Sequence, residues 1–572
     1  MNFNEISSFI WKVCDDELRG LFKPHEYGDV IIPFVVLRRL DCLLEKQKDE
    51  VVELYNSLKD KIDDVYPIIK TKTNLPFYNH SRFDLQRLKS DPNGLKINFP
   101  NYINGFSDNV HVILENFQLD KPVEKLLKNK KLYTLIDKFT EVDLSPQNVD
   151  NHTMGQIFEE LLRKFSEMSN ETSGEHYTPR DIVRLLVSLV FSESENDLKG
   201  EGNIRSIYDC CCGTGGMLSI GKEWVNENVS DNVSFLLYGQ ELNPQTFSIC
   251  KSDFLITGED PDRIKLGSSL SNDQFEDKKF DYMITNPPFG VSWKSEQEFI
   301  ENESKNPLGR FSVGTPRTSD GSLLFLQHLI SKMKSEGSRI GIVFNGSPLF
   351  TGDSGSGESE IRKWIIENDW LEGVISLPDQ LFFNTGISTY IWIVTNKKNI
   401  KRKGSVQLID GSQFYEKMRK NLGSKSKYLS ENHRLEIIKI YNSFEENEFS
   451  KIYPNHFFGY TRVTIEQPLI ENGKKVKDKQ GNFKPDSKLR DTERIPLSVD
   501  IDDYFSKEVQ PHLPEGWMDR NKDLIGYEIN FTKYFYKYSP LRSVDIITKE
   551  LWFLEKETEG LLKQILEEII HE

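Results

Sequence analysis

Residues 204–216 read IRSIYDCCCGTGG: a short apolar run that ends on an acid, Asp209, and breaks into a glycine-rich turn before a helical stretch from Met217. Strand, glycine turn and helix in that order form the repeating unit of parallel α/β sheets. Outward from it, six more β-like runs alternate with helical segments: Ser234 to Glu241, Ile264 to Leu270, Phe280 to Asn286, Arg339 to Phe344, Leu371 to Pro378 and Ser388 to Asn396. The last two are joined by only nine residues, Asp379 to Ile387. A parallel crossover needs about a dozen or more residues, so this pair is predicted to be antiparallel. The expected fold is α/β, with a Rossmann-like seven-stranded mixed sheet.

The chain has 572 residues, 37% hydrophobic and 28% charged, which is ample for several globular cores. Its net charge of −16 argues against wrapping nucleic acid over the whole surface, while leaving room for one local patch. The longest apolar stretches, such as Val30 to Leu37, fall short of a membrane span, and the acidic N-terminus has no secretory pattern. Six cysteines without a CxxC pair predict neither a disulfide framework nor a zinc site; reduced thiols suit a cytoplasmic protein. There is no GxxxxGK[ST], hence no P-loop.

Three regions are expected. Residues 1–150 read as a helical domain, with apolar periodicity over Phe9 to Phe22, Val30 to Leu44 and Glu124 to Phe139. Residues 151–425 hold the α/β domain. Residues 426–572 form a C-terminal extension. Within it, Glu471 to Arg494 is a charged excursion or hairpin, and Ser543 to Ile570 is one long helix. That helix carries Ile547, Leu551, Leu554, Leu561 and Ile565 on an apolar stripe, which either folds back or packs on a partner helix. The loop Val291 to Thr318 is long enough to be a lid.

The sharpest chemical signal is Asn286-Pro287-Pro288-Phe289, at the end of the fourth strand. The prolines remove two backbone donors, so carbonyls and the Asn286 side-chain oxygen remain as acceptors. This suits an exocyclic amine on a flat base, with Phe289 as a stacking face. The glycine turn, Asp209 with Gly213, Thr214, Gly215 and Gly216, lacks a GxGxxG fingerprint and suits a cofactor with an α-amino group and no pyrophosphate. Glu241 ends the second strand, where an acid holds ribose hydroxyls or is simply solvated. Glu175-His176-Tyr177-Thr178-Pro179-Arg180 precedes a helix from Asp181; Thr178 is placed to cap it, and a plain helix start explains the segment. His176 has no partner at metal-ligand spacing, and no metal is expected.

Taken in order, these motifs resemble those of DNA adenine N6-methyltransferases. More closely, the chain resembles modification (M) subunits of type I restriction–modification systems. The residues carrying the likeness are Ile10 to Leu44, GEHYTPRDIV, DCCCGTGGML, YGQELN, TNPPFG, Leu377 to Ile387 (LPDQLFFNTGI) and Gly526 to Tyr536 (GYEINFTKYFY). The resemblance implies S-adenosylmethionine (SAM) as cofactor. Glu175 to Arg180 and Thr214 to Gly216 would contact it, Asp209 and Gly213 would shape the loop, and Glu241 would bind the ribose. Asn286, Pro287 and Phe289 would hold an adenine flipped from double-stranded DNA. It also implies a separate specificity (S) subunit that reads sequence, contacted through C-terminal regions, and a motor-nuclease (R) subunit for cleavage. Two positions depart from the family: Cys210 follows Asp209 where proline is usual, and Gly267 is followed by Ser268 where aspartate is common. Other readings are a glutamine N5 protein methyltransferase and a degenerate scaffold.

Overall fold

The computed structural model describes residues 3–169, 178–193, 198, 203–229, 233–383, 385–471, 473–536 and 543–571. Glu175, His176 and Tyr177 lie outside the described residues. The chain forms two units, Met1–Ile529 and Asn530–Glu572.

The first unit is built on a nine-stranded sheet. Its strands are β1 (Ile204–Asp209), β2 (Ser234–Glu241), β3 (Ile264–Leu266), β4 (Tyr282–Thr285), β5 (Arg339–Asn345), β6 (Leu371–Ser376), β7 (Thr389–Thr395), β8 (Ser405–Asp410) and, after the hairpin β9 (Glu416–Leu422) and β10 (Lys425–Tyr428), β11 (Ser450–Pro454). The order is β3-β2-β1-β4-β5-β7-β6-β8-β11. β7 runs antiparallel to both β5 and β6, as the short connection requires, while β1 to β5 pair in parallel. The seven expected strands are all present.

Two strands more extend the sheet. β8 adds in parallel to β6, and β11 pairs antiparallel with β8, so the sheet reaches past residue 425. β8 is masked in the sequence by a basic lead-in and by Gln407 amid its apolar residues. Gln407 is fully buried and satisfied: its amide donates to Ile440 O and Ser450 Oγ and accepts from Arg402. The third strand stops at Leu266, short of the predicted Leu270, because Gly267 takes φ 143° and turns the chain.

The N-terminal helices bury one apolar core that includes Met154, Phe158 and Phe165 of the helix Asn151–Ser169 and Ile249 and Leu255 of the helix Pro244–Thr257. The bundle is therefore seated on the α/β part of its own chain. The fully buried Arg39 fastens the connection, donating to the carbonyls of Leu144 and Val149 and to Asn151 Oδ1. The expected helix Glu124 to Phe139 is two helices, Asp120–Lys128 and Leu132–Thr140, broken where Lys130 takes φ 55°.

A smaller antiparallel sheet pairs Gly459–Glu466 with Asp491–Pro496, Trp517–Met518 and Leu524–Tyr527. The charged excursion between its first two strands contains the exposed hairpin Ile470–Glu471/Lys474–Lys475. In the second unit, Val544–His571 is a single 28-residue helix. No described helix is long and apolar enough to cross a membrane.

Residues 291–318 are not an unstructured lid. They contain the helix Gln297–Ser304, and Trp293, Ile300 and Phe311 bury against Leu270 and Leu324 in a core of their own. Arg310 ties the insertion down, donating to Ser269 O at 2.8 Å, Leu270 O at 2.6 Å and Glu303 at 2.7 Å. Ser268, which had no role from sequence, donates to Glu296 at the insertion's first turn.

Candidate active site

The carboxyl ends of β1 and β4 are neighbours at the centre of the sheet, so the glycine turn and the Asn286 tetrapeptide meet at one edge, where ligands bind in open α/β folds. The cleft between them is lined by Glu159, Thr178, Arg180, Asp209, Cys211, Gly213, Thr214, Gly216 and Asn286, among others. An adjoining cleft shares Glu159, Arg180, Thr214 and Gly216.

Asn286 is oriented by a bond that the sequence reading did not foresee. Its Nδ2 donates to Thr178 Oγ1 at 2.9 Å. Thr178 therefore does not cap the following helix: that helix starts at Arg180, and no side chain caps it. With Nδ2 so held, Asn286 Oδ1 is left buried with no hydrogen-bond partner among the described residues. A buried acceptor without a donor costs about 1–3 kcal/mol, and this one stands on a residue that lines the cleft. Pro287 is buried and Pro288 half-buried. The Phe289 ring meets that of Phe382 at 5.7 Å and 78°, edge to face. Phe382, buried in the β6–β7 loop, is a site residue that the sequence indicated only within LPDQLFFNTGI.

Asp209 is almost wholly buried; its Oδ1 accepts from Thr285 Oγ1 at 2.6 Å and from the Cys211 amide at 3.0 Å. Burial pushes its carboxyl up to about 7, opposed by those two hydrogen bonds and reinforced by the charge of Glu241. Glu241 props the turn: its carboxylate accepts from the amides of Gly213 at 2.9 Å and Asn243 at 2.7 Å. Arg180 donates to Glu159 at 2.9 Å across the cleft wall. Glu159 carried no sequence signal, because an acid on an amphipathic helix normally faces solvent.

The turn itself differs from expectation. The amides of Cys211, Cys212, Gly213 and Gly215 are all bonded within the protein, to Asp209, Gln240, Glu241 and Cys212. Gly215 is not among the residues lining the cleft. Its φ is 84°, and a Cβ there would stand 2.8 Å from Cys250 Sγ and 3.1 Å from Phe254. Gly215 thus serves packing against the helix Pro244–Thr257. Gly215→Val is accordingly expected to destabilise the fold by about 1–3 kcal/mol, read as a lowered melting temperature without ligand. An unshifted melt would return Gly215 to the ligand side. Cys210 and Cys212 are buried, and Cys211 and Cys212 border the cleft.

The raised Asp209 carboxyl has a pH signature. Between the ordinary value of 3.8 and about 7 the unfolded chain releases a proton that the folded chain keeps. Stability from this group therefore falls as pH rises through that window and is flat above it. Asp209→Asn keeps the Oδ1 acceptor and removes the charge. It is expected to stabilise the ligand-free protein by on the order of 2 kcal/mol at pH 8 and hardly at all at pH 4, while weakening binding of any cationic cofactor. Thermal melts at the two pH values decide it; equal melts at pH 8 would mean the carboxyl is not strained.

Comparison with known proteins identifies the family. Residues 149–459 match the N-6 DNA Methylase family, and residues 6–139 match the HsdM N-terminal domain. The MjaIX type I restriction enzyme methylase subunit of Methanocaldococcus jannaschii is 26% identical over 544 residues, 91% of this chain and 92% of that one. The HindI methylase subunit of Haemophilus influenzae is 32% identical over 262 residues, 46% of this chain and 54% of the relative. The crystal structure of a type I restriction–modification methyltransferase subunit from Streptococcus thermophilus superposes with a TM-score of 0.62 at 21% identity, over 79% of this chain and 96% of that one, which establishes the shared fold.

The fold is that of a Rossmann-like methyltransferase, and the candidate site lies at the carboxyl ends of β1 and β4. The chain belongs to the N-6 DNA methylase family: it is an adenine-specific DNA methyltransferase with the domain pair of a type I modification subunit. Membership of a DNA-modifying family sets aside the protein-glutamine reading.

Proposed function

We propose that this chain transfers a methyl group from SAM to N6 of an adenine flipped out of double-stranded DNA. It does so in the cytoplasm as the M subunit of a type I complex, with a separate S subunit reading sequence and an R subunit joining for cleavage. The observation that carries this reading is the buried, partnerless Oδ1 of Asn286 beside the turn at the end of β1.

The residues fit SAM by charge. Asp209 and Glu159 face the cleft and Glu241 stands behind the turn, with Arg180 paired to Glu159. That surrounding suits a ligand with cationic centres. Asp209 would take the ammonium, Thr178 to Arg180 together with Thr214 and Gly216 the body of the cofactor, and Glu241 the ribose. When bound, SAM supplies an electrophilic methyl group.

The chain's own part is to present the amine. Asn286 Oδ1 and the carbonyls of the proline-rich turn accept the N6 protons. Accepting both draws the nitrogen lone pair out of conjugation with the ring and leaves it available for attack. Phe289, set by Phe382, stacks on the base. After transfer the attacking nitrogen gives up one proton to solvent.

Glu241→Ala is expected to weaken SAM binding about tenfold or more, through loss of both the ribose contact and the prop under Gly213. Calorimetry with SAM tests it, and unchanged affinity would remove Glu241 from the site. Detection of N6-methyladenine in DNA treated with the reconstituted complex tests the function as a whole.

A further inference from the structure

Phe289 is not the outer limit of the site. Phe382, against which it packs, lies in the loop between β6 and β7, and the hairpin β9–β10 is fastened to that loop. The Ser424 amide donates to Phe383 O at 2.7 Å, and the Ser426 amide to Gln380 O at 3.0 Å. The buried Lys425 ammonium donates to Leu381 O at 2.9 Å and to the Asp181 carboxylate at 3.2 Å. Asp181 stands three residues after Thr178, which orients Asn286. The hairpin is thus braced from both sides of the adenine-binding tetrapeptide.

Its cations divide into two sets. Lys425 and Lys427 are partly or wholly buried and paired, with Asp181 and Asp379. Lys417, Arg419 and Lys420, on β9, are exposed and form no ion pair among the described residues. β9 bonds only to β10 in a two-stranded sheet, so its far edge also presents backbone amides. In a chain of net charge −16, three exposed cations with no ion pair among the described residues stand within four positions of one open strand, on a hairpin fastened to the site.

We propose that β9 is a phosphate clamp: Lys417, Arg419 and Lys420 hold the DNA backbone next to the target adenine and set the position of the duplex without reading bases. This rests on the reading of the Asn286 site as an adenine site.

The test uses the full chain in complex with its specificity subunit, and an unmethylated duplex carrying the sequence that the wild-type complex is found to methylate. In Lys417→Gln/Arg419→Gln/Lys420→Gln, the slope of log affinity against log salt is expected to shrink by about 2–3. KM for DNA should rise ~10–100-fold at physiological salt, with kcat within about twofold and SAM affinity unchanged. The charge-preserving Lys417→Arg/Arg419→Lys/Lys420→Arg should restore the wild-type slope. An unaltered slope and KM would overturn the proposal. So would an equal loss in the control Lys474→Gln/Lys475→Gln/Lys477→Gln, which removes as many cations from the charged excursion that follows Glu466. Absence of N6-methyladenine with the wild-type complex would instead overturn the underlying function, and the clamp with it.

Discussion

Asn286→Ala is expected to lower kcat for methyl transfer by ~10²–10³ or more while leaving SAM affinity within about twofold. The reason is geometric. Asn286 Nδ2 is held by Thr178 at 2.9 Å, so the amide cannot rotate freely and Oδ1 stays buried with no donor among the described residues. An acceptor fixed in advance costs no reorganisation when charge develops on the amine nitrogen, and such preorganised groups carry large rate factors. Alanine removes the acceptor and leaves the glycine turn and Asp209 as they are. Thr178→Val keeps the amide but frees its orientation, and should cost less, roughly tenfold. Phe289→Ala should raise KM for DNA by weakening base stacking, whereas Phe289→Tyr keeps the ring and should be tolerated. Single-turnover transfer of labelled methyl groups in the reconstituted complex separates these effects. Near-wild-type turnover by Asn286→Ala would withdraw the catalytic assignment.

Periodicity and spacing carried the sheet further than they carried the site. The runs from Ile204 and Ser234 matched their strands residue for residue because both are apolar stretches ended by an acid and a turn. The nine-residue connection fixed the antiparallel sense of β7 through chain length alone. What escaped were features settled by tertiary partners. Gln407 makes β8 look too polar until Ser450 and the Ile440 carbonyl are in place beside it. Residues 291–318 read as a lid because their apolar residues are sparse, yet Trp293, Ile300 and Phe311 converge from distant positions. In the candidate site, the tetrapeptide and the turn after β1 were legible as segments at the carboxyl ends of two strands, and the sheet order brings them together. Their couplings were not. Thr178 reads as a helix cap, and only the fold brings it within reach of Asn286, 108 residues away. Gly215 reads as a ligand-side glycine, and only the helix bearing Cys250 and Phe254 shows why a side chain is excluded there.

Removing the residues after Ser543 is expected to leave a folded, SAM-binding protein that neither joins the specificity subunit nor methylates DNA. The removed segment is the 28-residue helix Val544–His571, which belongs to the chain's second unit. Its side chains at Ile546, Ile547, Leu551, Trp552, Phe553 and Leu554 are exposed, between 37% and 62%. Full burial of a large apolar side chain contributes roughly 1.5–3 kcal/mol, so even partial cover of these six by a partner helix supplies enough to hold a complex. The first unit contains the whole nine-stranded sheet, the glycine turn, Asn286 and the core beneath them, and should keep its fold and its cofactor affinity. Two measurements on the truncated chain carry the test, co-purification with the specificity subunit and calorimetry with SAM. Retained co-purification would move the interface to the N-terminal helical domain. Loss of SAM binding or of the folded state would mean that the helix stabilises the catalytic unit itself. The charge-preserving substitutions Leu551→Gln and Leu554→Gln, made together in the full chain, distinguish an apolar seam from a mere tether: the seam predicts weakened assembly with SAM binding intact, and a tether predicts no change.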